Sequence, residues 1–479
     1  MGKNTTNDMT QGNCMRLLVQ FFLPILAGNL FQQLYSFADS MVVGKGIGDT
    51  ALAAVGNTGS VHFLIIGFAI GLTGGLGICI SQSFGSGNYE KLRKELAMSV
   101  WICLAIGIVI TVVSLAFMRQ LFTFLHTPED LMTETLQYFG TILAGTTITI
   151  FNNFAMTLLR SVGNSRVPLA AMIISAIANV LMDLLFVFPL HMGVFGAALA
   201  TVLAQVLSAL YCCYYIGREK NLIPKKTDWK PQSVIIKRLT LKGLPVAVMN
   251  SVTAVGGMVL QTFVNNMGTS YVAAYAACTK ILSLFEQPAN TVGLALLTFV
   301  GQNYGAGKKE RIRTGIREGV ILTILINIPL ALMLLCIPEF LTSFMLNDAS
   351  IISYTRDFLA VTGICLFPLG WLFVFRNGCQ GMGHTFVPML SGVLEVSLRV
   401  VMVKLLTPYL AFRGVALAEV SAWIGAWIML MIFWRWKADC TGPISVPSAK
   451  PLPTRMRLTR STSASTKRSW IPSCSIRRE

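Results

Sequence analysis

Runs of about 20 consecutive apolar residues recur along this chain, separated by short polar or basic breaks. A hydrocarbon core about 30 Å thick takes about that many residues to cross as a helix, the form in which a lone segment bonds its own backbone polar groups. The runs lie near 16–43, 51–80, 96–118, 134–159, 167–189 and 194–217, then near 239–265, 271–300, 315–338, 355–376, 387–410 and 414–436. Of 479 residues, 54% are hydrophobic and 12% charged, against about 25% charged in average soluble chains. The expected fold class is all-α integral membrane, with twelve transmembrane helices. The polar stretch Met1–Asn13 lacks the basic, apolar and small-residue succession of a cleaved signal, so the first span is expected to stay in the mature protein.

A net charge of +17 raises the question of a nucleic-acid partner, and the placement of the charge argues against one. Basic residues gather in every second loop: Lys91, Arg93 and Lys94; Arg160 and Arg166; a run from Arg218 to Lys242; Lys308 to Arg317; and Arg376. The alternate loops offer little beyond Lys45, Arg119, Arg356 and Arg413. This is the positive-inside pattern, which predicts a multi-pass protein of the cytoplasmic membrane with both termini in the cytoplasm. Eleven cysteines lie mostly inside apolar spans without metal-ligand spacing and read as small buried hydrophobes.

The segment QSFGSGNYEKLR from Gln82 recurs as QNYGAGKKERIR from Gln302, an offset of 220 residues. The same offset pairs Gly48 with Gly268, Gly163 with Gly383 and Pro168 with Pro388, and near-equal offsets pair Pro24 with Pro245 and Gly196 with Gly414. Six spans per repeat bring each half back to its starting side, giving two pseudo-symmetric six-helix lobes about an axis along the membrane normal. The expected divisions are a cytoplasmic segment 1–15, a first lobe 16–217, a basic linker 218–238, a second lobe 239–437 and a disordered basic tail 438–479. Such symmetry predicts a substrate cleft between the lobes.

Several motifs dissolve on inspection. GQNYGAGKK has the wrong spacing for a phosphate loop, Gly44, Gly46 and Gly48 follow no strand, and none of the four histidines stands in HExxH or near a cysteine pair. No nucleophile or metal motif of an intramembrane enzyme is present, so no enzymatic role is expected. The glycines at 67, 71, 74, 75 and 77 have the small-residue spacing that lets helices approach closely.

Ionisable groups inside a bilayer are costly and read as functional. Asp39, Asp183 and Thr201 fall at a common depth about 6 to 11 Å below the outer surface at 1.5 Å per residue, and Asn179 lies one turn deeper on the face of Asp183. Two carboxylates, an amide and a hydroxyl supply oxygen ligands for Na+, or a pair that shares one proton and titrates as a unit. The second lobe lacks this set, having Arg399 and Val403 where the first has Asn179 and Asp183. There, Glu395 and Arg399 stand four apart as a structural ion pair, while Glu286, with Lys280 and Asn153, is a candidate for the substrate cleft.

The stretch QQLYSFADSMVVGKGIGDTALAAVG, the turn QSFGSGN, the segment RSVGNSRVP and the pair NVLMD and GVFGAALAT resemble the multidrug and toxic compound extrusion transporters, over about residues 12–437. The resemblance implies twelve helices in two lobes and export of organic cations or other lipophilic compounds in exchange for H+ or Na+. It implies that Asp39, Asn179, Asp183 and Thr201 form the cation site of the DinF-like branch, and that Pro24 is the proline at which the first helix bends. The acids that the other major branch carries on its seventh helix have no counterpart in residues 239–265, and Asp357 stands only at the start of the tenth.

The expectation is a monomeric, cation-coupled multidrug antiporter working by alternating access, with small molecules and membrane lipids as partners. Beyond the coupling ion, neither cofactor nor metal is expected. The rival readings are a flippase for a lipid-linked precursor and, from another class, a non-transporting scaffold that uses its basic tail.

Overall fold

In the computed structural model, residues 7–125, 127–346 and 348–440 are described, and the tail expected to be disordered lies, beyond Cys440, outside them. The chain forms fourteen helices among these residues: α1 (Cys14–Gly46), α2 (Asp49–Gly85), α3 (Tyr89–Phe124), α4 (Glu129–Ala144), α5 (Thr146–Ser161), α6 (Arg166–Val187) and α7 (Gly193–Arg218), then α8 (Ser233–Asn265), α9 (Thr269–Gly305), α10 (Lys309–Cys336), α11 (Pro338–Ser343), α12 (Ala349–Ile364), α13 (Leu366–Gly381) and α14 (Phe386–Cys440). Eight segments are singly long and apolar enough to cross a bilayer, and two bent pairs make further crossings. α14 reverses at Ala411, whose φ of 46° and ψ of −125° break the helix, so it contributes two passes. α9 has the same length as α2, 37 residues, and completes twelve.

Two spans depart from the expected single helices. The fourth breaks between α4 and α5 and the tenth between α12 and α13, each with a bend of 46°. The breaks fall at Gly145 and Cys365, 220 residues apart. The left-handed turns at His191 and Ala411, both at φ 46°, are separated by the same interval. The duplication is thus written in backbone irregularities as well as in sequence.

The first helix of each repeat crosses between lobes. At the end carrying the basic loops, Leu18, Phe21 and Ile25 of α1 pack with Val292, Leu296 and Ile316 of the second lobe. At the other end Val43 of α1 packs with Val187 and Ala197 of the first. α8 mirrors this: a Cβ on Gly75 would collide with the backbone of Gly243 and Lys242, whereas one on Gly256 would meet Val396 and Arg399. Pro24 and Pro245 stand inside the continuous helices α1 and α8 near these changes of partner. A proline leaves one carbonyl of the preceding turn without its helical donor, which loosens the helix there.

Near the basic end the lobes are held by paired contacts. Gln82 Nε2 donates to the carbonyl of Gly381 at 2.9 Å, and Gln302 Nε2 donates to that of Ser161 at 3.0 Å. Donor and acceptor residues are each related by the 220-residue offset. Gly85 and Gly305 allow the same approach, since a Cβ on either would overlap the carbonyl of Gln302 or Gln82. Midway along the helices, Asn29 donates to Thr291 Oγ1 and Asn250 to the Gly67 carbonyl, both at 3.2 Å.

Candidate functional site

α1 and α6 bring Asp39 and Asp183 side by side in the first lobe, their carboxyl groups within hydrogen-bonding reach of each other. Asp183 is fully buried and Asn179 nearly so, one turn along the same helix. Asn179 Nδ2 donates to Thr201 Oγ1 of α7 at 3.3 Å, and that hydroxyl donates to the Ala197 carbonyl at 3.2 Å. The sequence places Asp39, Asp183 and Thr201 at one depth with Asn179 a turn deeper, and the packing of α1, α6 and α7 brings the four together.

The donors do not match the acceptors. Asp39 Oδ1, both carboxylate oxygens of Asp183 and Asn179 Oδ1 are buried without a hydrogen-bond partner. Buried polar atoms are almost always satisfied, so four together at one point mark a place that suits a further positive group. Like charges this close repel strongly in a poor dielectric, and a shared proton or a small cation with oxygen ligands relieves both problems. The donor set, two carboxylates with an amide and a hydroxyl oxygen, suits either.

One turn from Asp39, Asp183 and Thr201 toward the end opposite the basic loops, Val43, Val187 and Ala197 form an apolar cluster with Ala51 and Val194. This cluster caps the polar group on that side. Tyr35, one turn before Asp39, and Tyr138 of α4 lie within electrostatic reach of both carboxylates. Tyr35 shares the helical face of Asp39 at a spacing of four and was legible in the sequence. Tyr138 comes from a helix with no sequence link to the site.

The second lobe holds a different polar group. Glu395 and Arg399 pair as expected at 3.0 Å, and the pair extends into a chain: Arg376 contacts Glu395 at 2.6 Å and Arg399 contacts Glu419 at 2.5 Å. Arg376 therefore does not belong with the loop charges of the sequence reading, because it is 6% exposed and neutralised inside the lobe. Glu286 is half-buried within electrostatic reach of Arg399, Glu395 and Glu419. Lys280 is exposed on α9, and Asn153 of α5 donates to its own helix at Thr149. These three cleft candidates thus sit in separate surroundings.

Twelve membrane passes in two lobes related by a repeat, with a buried cluster of unpartnered oxygens in one lobe, are the architecture of a polytopic membrane transporter. The MatE family model matches residues 24–185 and 245–404, one block in each lobe, and the chain belongs to that family. It is 28% identical over 308 residues, 64% of its length, to the probable multidrug resistance protein YpnP of Bacillus subtilis, covering 68% of that protein. Against the probable multidrug resistance protein NorM of Thermotoga maritima the identity is 25% over 418 residues, covering 85% of this chain and 88% of that one. The outward-facing structure of a multidrug resistance MATE family transporter of the MOP superfamily superposes with a TM-score of 0.85 at 23% identity, over 92% of this chain and 98% of the other. That last likeness is one of fold.

Proposed function

We propose that this transporter exports small organic molecules, cationic or lipophilic in character, across the cytoplasmic membrane in exchange for H+ or Na+, acting as a monomer with both termini in the cytoplasm. The cluster of four donorless buried oxygens at Asp39, Asp183 and Asn179 is the observation that carries the coupling role. The multidrug names of the relatives from Bacillus subtilis and Thermotoga maritima support the cargo. The basic loops at one end of the bundle support the orientation.

The packing of α1 suggests how the site acts at a distance. Asp39 rides on the part of α1 that lies against the first lobe, while Leu18 to Ile25 lie against the second. A proton or sodium ion between Asp39 and Asp183 removes their repulsion and lets α1 stay against α6. Loss of that ion drives the carboxylates apart and strains α1 about Pro24, where the helix is weakest. In this way the ion biases the equilibrium between states open to either side, the requirement for alternating access.

The test is efflux of a fluorescent organic cation such as ethidium from proteoliposomes, with a sodium or a pH gradient imposed separately. Asp183→Asn and Asp39→Asn are each expected to lower gradient-driven export at least about tenfold, one pKa-unit equivalent of coupling energy, with unchanged yield of folded protein. Export by both variants at the wild-type rate would sink the assignment.

A further inference from the structure

We propose that Arg160 is a charge barrier that stops the coupling ion from passing through the first lobe to the cytoplasm, a role that rests on ion coupling at Asp39 and Asp183. The sequence groups Arg160 with the loop charges, yet it stands in the last turn of α5, half-buried, with its Nε buried and without a hydrogen-bond partner. Its guanidinium donates to Met172 Sδ of α6 at 3.5 Å, a weak acceptor, and no carboxylate pairs with it among the described residues. The dipole of α5 offsets part of the cost of that charge. A cation kept inside a membrane protein without an acid beside it reads as functional.

A polar path leads to it from the coupling site. On α7, Gln205 and Ser208 follow Thr201 at intervals of four and three, which keeps them on one face. On α5, Asn152 follows Thr149 by three, and Thr149 Oγ1 donates to Gln205 Oε1, so the two faces meet. Asn152 Oδ1 is buried without a partner, as Asn179 Oδ1 is at the head of the path. The next positions on these faces, Met156 and Cys212, share an apolar cluster. Arg160 comes one turn beyond Met156 and lies within electrostatic reach of Cys212. Over the roughly 16 Å along α6 from Asp183 to Met172, the interior thus passes from acceptor oxygens to an apolar step and then to a fixed positive charge. A cation moving that way is repelled in a poor dielectric, and an arginine on a pore wall is a known means of excluding protons and cations.

The internal repeat supplies a control. Gln380 is the counterpart of Arg160 at the 220-residue offset, and it donates to Met249 Sδ at the same distance, 3.5 Å. Arg376, the counterpart of Met156, is neutralised by Glu395. A neutral amide therefore makes the methionine contact in the lobe that lacks the carboxylate pair, and an unpaired cation makes it in the lobe that has one. Packing alone does not call for the charge. With this route barred, the ion reaches the cytoplasm only when the lobes part.

Proteoliposomes of the full-length protein, free of export substrate and with the membrane potential clamped by valinomycin and potassium, test this with an enclosed pH-sensitive or sodium-sensitive dye. After a step in external pH or sodium, Arg160→Gln is expected to admit the coupling ion at least about tenfold faster than wild type. Met172→Glu, which sets a carboxylate against the retained guanidinium, should leak likewise, and Arg160→Lys, which keeps the charge, should stay tight. Adding Asp183→Asn to Arg160→Gln should close the leak, because the ion can no longer enter at the site. The inference falls if either folded leak variant is as tight as wild type, if the lysine variant leaks as fast as the glutamine one, or if the leak survives Asp183→Asn. Ethidium export measured in parallel separates the two readings. Gradient-driven export by wild type beside a tight Arg160→Gln removes the barrier alone, whereas wild type without gradient-driven export removes the coupling site and the barrier together.

Discussion

Glu395 accepts from two arginines at once, Arg376 and Arg399, in a lobe where all three are less than 10% exposed. Removing it strands buried Arg376 and leaves Arg399 with Glu419 alone, a change that typically costs about 3–5 kcal/mol. Glu395→Ala should therefore lower the thermal unfolding midpoint in detergent by several degrees. Arg376→Met/Glu395→Leu, which removes a charge of each sign and fills the space, should recover much of the loss. Equal destabilisation by single and double variants would show that this chain of charges is not what steadies the lobe. The sequence disclosed one link of it, because a spacing of four on a helix is visible in one dimension. Arg376 and Glu419 lie on neighbouring helices, and only packing brought them in.

At the scale of elements, the segment ahead of α1 does something its polar composition did not announce. Met9 is buried; its N–H donates to Gln302 Oε1 at 2.9 Å, and its carbonyl accepts from Asn303 and Arg311, each at 3.2 Å. On the other side a Cβ on Gly163 would collide with the Asn7 carbonyl. The segment is thus a strap at the basic end that touches both lobes. Deleting residues 2–12 should raise hydrogen exchange at residues 302–312 and 161–164, and unchanged exchange would show that the strap bears no load. The close crossing of α2 and α8 is more legible, since glycines at 71 and 75 advertise it. Gly75→Leu would drive a side chain into the Gly243 backbone, so cysteine pairs placed across this crossing should cross-link less readily than in the parent protein.

The whole molecule is fastened near one end by two symmetry-related glutamines. Each such hydrogen bond contributes about 1 kcal/mol, so the pair holds the basic end shut by about 2 kcal/mol, or roughly 30-fold in an equilibrium constant. Gln82→Ala/Gln302→Ala should shift the population toward a state open at that end. Spin labels at positions 90 and 310, both exposed at the starts of α3 and α10, would report longer distances. An unchanged distance distribution would mean that closure rests on the α1 and α8 crossings alone.

Span number, duplication and the depth of Asp39, Asp183 and Thr201 were determined by the sequence alone. Apolar run length, repeat offset and helical rise are one-dimensional quantities that a bilayer converts directly into geometry. The tertiary structure alone decided the breaks at Gly145 and Cys365, the exchange of partners by α1 and α8, and the strap. Each depends on which helix lies against which. Side chains far apart in the chain set that choice by jointly satisfying volume and hydrogen bonds, and no local pattern records the outcome.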